Sequence, residues 1–320
     1  MTEAINGTCI AASKKQTIQG SLYSKIMASH NAFSVIVHPH SSPNRGACAY
    51  EVGYPKSRNA LVFIGGLGDG PHTVPYIRTV AKHLETTGRE LDYSVFELRL
   101  RSSFIGFGTS SLSNDVDDIA ALVKYLRGLG REKIVLFGHS TGCQDCMEYS
   151  NYVKHSNPPV DGFIMQGPVS DREALECSFP RYKESIDLAD TWISAGRAGD
   201  CLPGDKVPKA LAAPVSAYRF KSLAAKGGDD DYFSSDLDDV TVANFWSRFN
   251  KPVMVLHSDE DEFVPKHVDQ AVQNQRYQKV SPLVSSLSGL IPNAGHTVEE
   301  EASREWLGKR VVEFLQTLEK

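Results

Sequence analysis

The stretch Gly138-His139-Ser140-Thr141-Gly142 constrains the fold of this chain more than any other. Before it runs Lys133-Ile134-Val135-Leu136-Phe137, a β-branched apolar segment bracketed by charge and glycine, which predicts a buried parallel strand. After it, Cys143 to Tyr149 contains neither proline nor glycine and is expected to run as a helix. Strand, tight turn and helix, with serine at the apex and glycine two residues away on each side, form the pattern of a nucleophile elbow. The reason is steric: a serine on a strained turn clears the sheet only where these neighbours lack a Cβ. The same five residues would also suit an idle serine in a glycine-rich turn, so their meaning depends on what the rest of the chain supplies.

Strand and helix signals alternate around the elbow. Strands are expected over 32–38, 47–52, 59–64, 93–98 and 160–165, and a helix over about 74–86. Ser113 is the expected cap of a further helix, with Val116, Ile119, Val123 and Leu126 on one face. This order predicts an α/β fold with a mostly parallel, doubly wound sheet. The alternation stops at Gly167. From there to Asn250 the chain has helical stretches, breaks at Pro180, Pro203-Gly204, Pro214 and Gly227-Gly228, and no convincing strand, and it reads as a helical lid over the carboxyl ends of the strands. The sheet resumes over 251–257, a last strand is expected over 283–290, and the tail from Glu299 closes as a helix bearing Leu307, Val311, Leu315 and Leu318. The expected division is a core of 1–166 and 251–320 with a lid of 167–250.

At 320 residues, 41% hydrophobic, the chain is long enough for such a domain with an insertion. A net charge of −5 gives no reason to expect nucleic acid or an anionic membrane as partner. No apolar run approaches a membrane span, and Met1 to Asn6 has neither the basic end nor the apolar core of a signal peptide, so a cytoplasmic location is expected. Cys9, Cys48, Cys143, Cys146, Cys177 and Cys201 are dispersed and predict no disulfide framework. Cys143 and Cys146, spaced i, i+3 on the elbow helix, read as buried small residues rather than a redox or zinc pair.

A serine hydroxyl needs a general base, and the base needs an orienting carboxylate. Both stand downstream of the elbow, after expected strands. His296 lies in Asn293-Ala294-Gly295-His296-Thr297, and the acids lie in the run from Asp259 to Glu262. Asp261, four residues before Pro265, is the preferred acid and Asp259 its rival. Ser140, Asp261 and His296 then follow the α/β-hydrolase chain order. The tetrahedral intermediate wants two backbone N–H donors, for which Thr141 and Leu67, within Gly65-Gly66-Leu67-Gly68, are the candidates. That loop matches neither GxGxxG nor a P-loop. His139 is expected to pack behind the elbow, and loss of function is expected as His296 protonates near its usual pKa of about 6.5. The run Asp229-Asp230-Asp231 reads as a solvated loop, since EF-hand spacing is absent. No metal and no cofactor is expected. Phe179, Tyr182, Trp192, Tyr218, Tyr232 and Phe233 either line the pocket or form the lid's own core.

The elbow, acid loop and histidine loop together resemble the α/β-hydrolase superfamily over about residues 45–320, the lid excepted. More closely, Gly65 to Gly70, Arg101-Ser102-Ser103, Gly138 to Gly142 and Gly228 to Leu237 resemble a mainly fungal and plant family long known only as a domain of unknown function. That family includes siderophore esterases, which open the ester bonds of fusarinine C and triacetylfusarinine C. The resemblance implies a serine esterase using Ser140, Asp261 and His296, the three residues also reached from the chemistry, on a small-molecule ester of a hydroxamate siderophore. The alternatives are a general carboxylesterase or lipase, and a hydrolase-like binding protein without turnover. Oligomeric state stays open.

Overall fold

The structure, a computed structural model, describes residues 32–319; residues 1–31, with Cys9 and the start of the chain, and Lys320 lie outside it. Residues 32–35, the described part of the first compact unit, carry no regular secondary structure. The first strand therefore begins later than expected. The second unit, Ile36–Lys320, carries all the elements described below.

In chain order these are β1 (Ile36–Pro39), β2 (Cys48–Val52), β3 (Asn59–Ile64), α1 (Tyr76–Glu85), β4 (Tyr93–Arg99), α2 (Leu112–Gly128), β5 (Ile134–His139) and α3 (Thr141–Tyr149). Then come α4 (Tyr152–His155), β6 (Gly162–Gln166), α5 (Asp171–Ser178), α6 (Tyr182–Ser194), α7 (Ala217–Ala224) and α8 (Asp239–Trp246). The chain closes with β7 (Val253–Ser258), α9 (Gln270–Val280), β8 (Gly289–Ile291) and α10 (Glu301–Thr317). The eight strands form one sheet in the order β1-β2-β4-β3-β5-β6-β7-β8. β2 runs antiparallel to both neighbours and every other pairing is parallel. This is the doubly wound α/β architecture expected above, because parallel neighbours need crossover helices and those helices cover both faces.

The continuous apolar runs follow from that burial. In β3, Val62 and Ile64 join the core on the α2–α3 face, while Leu61 and Phe63 join the core beneath α1 and α10. β5 divides in the same way: Ile134 and Leu136 turn to one face, Val135 and Phe137 to the other. With both faces covered, even polar residues within the central strands are buried, as where Ser94 Oγ donates to Glu51 Oε1 at 2.6 Å. On the α1–α10 face, His83 Nε2 meets Glu305 Oε2 at 2.8 Å. Among the described residues no helix is long and apolar enough to cross a membrane.

Three local expectations differ from the structure. Helix α2 is capped by Ser111, whose Oγ accepts the Asn114 N–H at 3.2 Å; Ser113 already lies within the helix. The last strand is confined to Gly289–Ile291, with Val284 making only an isolated bridge to Val253. Serines between them bend the chain: Ser288 N–H donates to Ser285 O at 3.0 Å, and Ser288 Oγ accepts the Val255 N–H that a strand carbonyl would otherwise take. Helix α9 was not foreseen. Its buried residues are Gln273, Asn274 and Tyr277, so it carries almost no apolar stripe to read.

Candidate active site

Ser140 sits where β5 ends and α3 begins, with φ 53° and ψ −124°. A non-glycine residue at positive φ is strained, and it holds this turn because its surroundings leave no other path. A Cβ at Gly138 would lie 2.2 Å from Gly142 O, one at Gly142 would lie 2.3 Å from Ile64 O, and one at Gly66 would lie 2.5 Å from Ser140 Cβ. The two elbow glycines are therefore steric requirements of the turn, and Gly66 lets the β3 loop touch the serine. Ser140 N–H donates to Gln166 O at 2.9 Å, tying the elbow to β6.

The loops after β7 and β8 bring the other candidates to the same point. His296 Nε2 lies 2.8 Å from Ser140 Oγ, and His296 Nδ1 lies 2.7 Å from Asp261 Oδ2. His296 and Asp261 are 6% and 8% exposed, so their contact is largely shielded from water. The rival Asp259 has a different job: its Oδ1 accepts the Ala294 N–H at 3.0 Å and holds the histidine loop in place. Glu262, which the sequence reading gave no role, accepts the His296 N–H at 2.9 Å. Both signals lay within the same acidic run. Gln166 completes the support, donating through Nε2 to Ser258 Oγ at 3.1 Å and to His296 O at 3.2 Å.

Leu67 and Thr141 both adjoin Ser140, Leu67 through its neighbour Gly66 and Thr141 in sequence. Among the described residues neither backbone N–H takes a hydrogen-bond acceptor. Asp69 shapes the loop that carries Leu67, its Oδ2 accepting the Gly66 N–H at 2.9 Å.

The electrostatics separate the two neighbouring histidines. Burial works against a charge on His296, but the hydrogen bond and charge of Asp261, with Glu262 and Asp171 adding to them, outweigh it and hold its pKa above the ordinary value. His139 goes the other way. Burial, and then the nearby His296, pull it down to about 4. Its ring lies 5.0 Å from that of His296, and Gln166, whose Nε2 is already donating, can only accept the His139 Nδ1 proton, at 2.6 Å. His139 is thus a neutral packing group, although its ring also reaches the cavity wall.

A cavity of about 360 Å³ opens over Ser140 and His296. Its apolar wall comes from Leu67, Val169, Leu175, Leu211, Leu223 and Phe263. None of the six aromatics named above lines it. Phe179, Tyr182 and Trp192 pack with Phe220 in a cluster that also holds the wall residues Leu67, Leu175 and Leu211, while Tyr232 and Phe233 belong to the α2–α3 core. The acidic run also differs from expectation. Only Asp229 is exposed; Asp230 is paired with Arg219 at 2.6 Å and Asp231 with Arg172 at 3.1 Å, each buried. Two internal arginines explain those carboxylates, and among the described residues no group of three or more His, Cys, Asp or Glu could hold a metal ion. Cys143 and Cys146 are free and buried, with the Cys143 thiol donating to Gln166 O at 3.3 Å. The cavity also has an ionisable wall residue that sequence reasoning missed, Asp171, the first residue of α5.

Comparison with known proteins agrees with this architecture. The chain is 37% identical over 286 residues to a UPF0613 protein of Schizosaccharomyces pombe, covering 82% of this chain and 88% of that one. It is 30% identical over 325 residues to the fusarinine C esterase sidJ of Aspergillus fumigatus, covering 82% of this chain and 90% of the relative. Among solved structures, the siderophore hydrolase EstB from Aspergillus fumigatus superposes with a TM-score of 0.77 at 29% identity, over 91% of this chain and 99% of its own. The fold is that of the α/β hydrolases, and relatives named as esterases support a hydrolase function for this chain. Residues 27–316 match the family described as "Protein of unknown function (DUF1749)", and the chain belongs to that family.

Proposed function

We propose that the chain is a serine esterase working through an acyl-enzyme, with Ser140, His296 and Asp261 as its catalytic residues. The observation that carries this reading is the continuous contact Ser140–His296–Asp261, at 2.8 and 2.7 Å, opening on a largely apolar cavity. Ser140 Oγ attacks the ester carbonyl while its proton passes to His296 Nε2. Asp261 keeps the Nδ1 proton facing it and stabilises the imidazolium. The N–H groups of Leu67 and Thr141 hold the oxyanion, aided at Thr141 by the start of α3. The alcohol leaves with the proton from His296. Water, deprotonated by the same imidazole, then releases the acid and restores Ser140. No cofactor enters these steps.

The proposed lid is the segment 167–250, from which Asp171, Ala174, Leu175, Leu211 and Leu223 face the cavity. The proposed substrate is an ester of a hydroxamate siderophore of the fusarinine C or triacetylfusarinine C type, supported by the names of the two Aspergillus fumigatus proteins. A cytoplasmic location belongs to the same proposal and suits free thiols at Cys48, Cys143, Cys146, Cys177 and Cys201.

Mass-spectrometric analysis of fusarinine-type triesters, with and without iron, beside simple nitrophenyl esters, tests the substrate. Cleaved triester is the expected product. Hydrolysis of nitrophenyl esters alone would make this a general carboxylesterase.

The pH profile is a second test. His296 must be neutral to accept the serine proton, so kcat/KM should fall as pH falls through the pKa of that imidazole. Because Asp261 holds that pKa up, the acid limb is expected above the ordinary value of about 6.5 rather than at it. A rate constant between pH 5 and 8 would contradict the assignment.

A further inference from the structure

Among the described residues, four ionisable side chains reach the cavity wall: Asp69, His139, Asp171 and His296. No described lysine or arginine does. Three of the four are committed to the site itself. Asp69 uses both oxygens, Oδ2 on the Gly66 N–H at 2.9 Å and Oδ1 on the Thr73 hydroxyl at 2.9 Å. His139 is bonded to Gln166, and His296 lies between Ser140 and Asp261. Asp171 differs. Its Oδ2 accepts Gln144 Nε2 at 2.8 Å, and its Oδ1 has no partner among the described residues. Arg219, whose charge acts on Asp171, pairs through Nη1 with Asp230 Oδ2 at 2.6 Å, and Ser222 donates to the same carboxylate at 2.5 Å.

Asp171 is half-buried in a largely apolar wall, with this oxygen left for a group that enters the cavity. A ligand group that reaches this oxygen from the cavity must be a donor to bond it, best a charged one. We propose that Asp171 is a specificity-determining residue: its free carboxylate oxygen binds a protonated amine carried by the ester substrate, so that amine-bearing esters are preferred to uncharged esters of the same shape. This deepens the esterase reading of the cavity and rests on it.

The electrostatics agree with such a role. Burial, with Asp230 adding to it, pushes the Asp171 carboxyl up to about 7, against the opposing pull of Arg219, His296 and the Gln144 hydrogen bond. An arriving ammonium favours the ionised form. The preference should therefore strengthen as pH rises through about 7. Comparing two esters at each pH cancels the titration of His296, which both share.

The test uses a ladder of para-nitrophenyl ω-aminoalkanoates of increasing chain length. Each is paired with the alkanoate in which a methyl group replaces the ammonium. The readout is the ratio of kcat/KM within each pair, so a general loss of activity in a variant cancels. For the unmodified chain at pH 8 the ratio is expected to reach about tenfold or more at one chain length. In Asp171→Asn it should fall to about one. Asp171→Glu should keep the preference but move its optimum one methylene shorter, which a merely structural residue would not do.

A ratio near one at every length in the unmodified chain would overturn the proposal. So would an unchanged ratio in Asp171→Asn. Either result, with the alkanoates still hydrolysed, leaves the esterase reading standing. If neither series is cleaved and no serine reacts with a fluorophosphonate, both readings fall together.

Discussion

Replacing Ser140 by alanine is expected to abolish labelling by a fluorophosphonate probe and to lower ester turnover by roughly 10³-fold or more. The change removes one oxygen atom and little else. Alanine has the same Cβ, so the turn at φ 53° keeps its strain, and Gly66, Gly138 and Gly142 keep their contacts. The imidazole of His296, 2.8 Å away, loses only the group it was to deprotonate. What remains, the cavity and the backbone donors at Leu67 and Thr141, can still bind an ester and stabilise attack by water, which sets the floor of the loss. An unaltered melting temperature would show that the fold survives. Normal turnover in this variant would rule out the mechanism. Failure of the unmodified chain to react with the probe would instead favour a hydrolase-like binding protein.

A similar loss, about 10³- to 10⁴-fold, is expected for Asp261→Asn. Asp261 Oδ1 accepts the Phe263 N–H at 3.0 Å, and only an oxygen can do that. In the variant the amide oxygen stays on Phe263, so the NH₂ group faces His296 Nδ1. That nitrogen must then accept, the proton moves to Nε2, and Nε2 can no longer take the proton of Ser140. The variant also loses the charge that holds the His296 pKa up, so any remaining activity should show its acid limb at lower pH. Asp259→Asn is the control. Its side-chain oxygen can still accept the Ala294 N–H, and the loss should be far smaller. A larger loss at 259 than at 261 would show that the acid has been misassigned.

Much of this was legible before any coordinates. Glycine spacing around Ser140, unbroken apolar runs and the chain order of serine, acid and histidine are local features, and local sterics and burial act on them directly. What failed to show was set by distant contacts. The acidic stretch 259–262 holds four carboxyl groups; the spacing to Pro265 favoured Asp261, which meets the imidazole, but nothing in the order of the residues says that Asp259 and Glu262 clamp the loop. Asp230 and Asp231 looked solvated because Arg219 and Arg172 are remote in sequence. The aromatics of 167–250 offered a pocket lining, yet the cavity takes aliphatic residues from the same segment, since rings of that size fill its interior instead.

On its own, then, the amino-acid order determined the sheet, the elbow and a short set of residues able to act with Ser140, because period, glycine placement and β-branching operate over a few positions at a time. Only the tertiary structure decided that Asp259 and Glu262 hold the histidine loop, which oxygen of Asp171 has no partner among the described residues, and what faces the cavity. Those outcomes depend on where separate loops converge at the ends of β5, β6, β7 and β8, and a hydrogen bond is settled by tenths of an ångström that no spacing along the chain encodes.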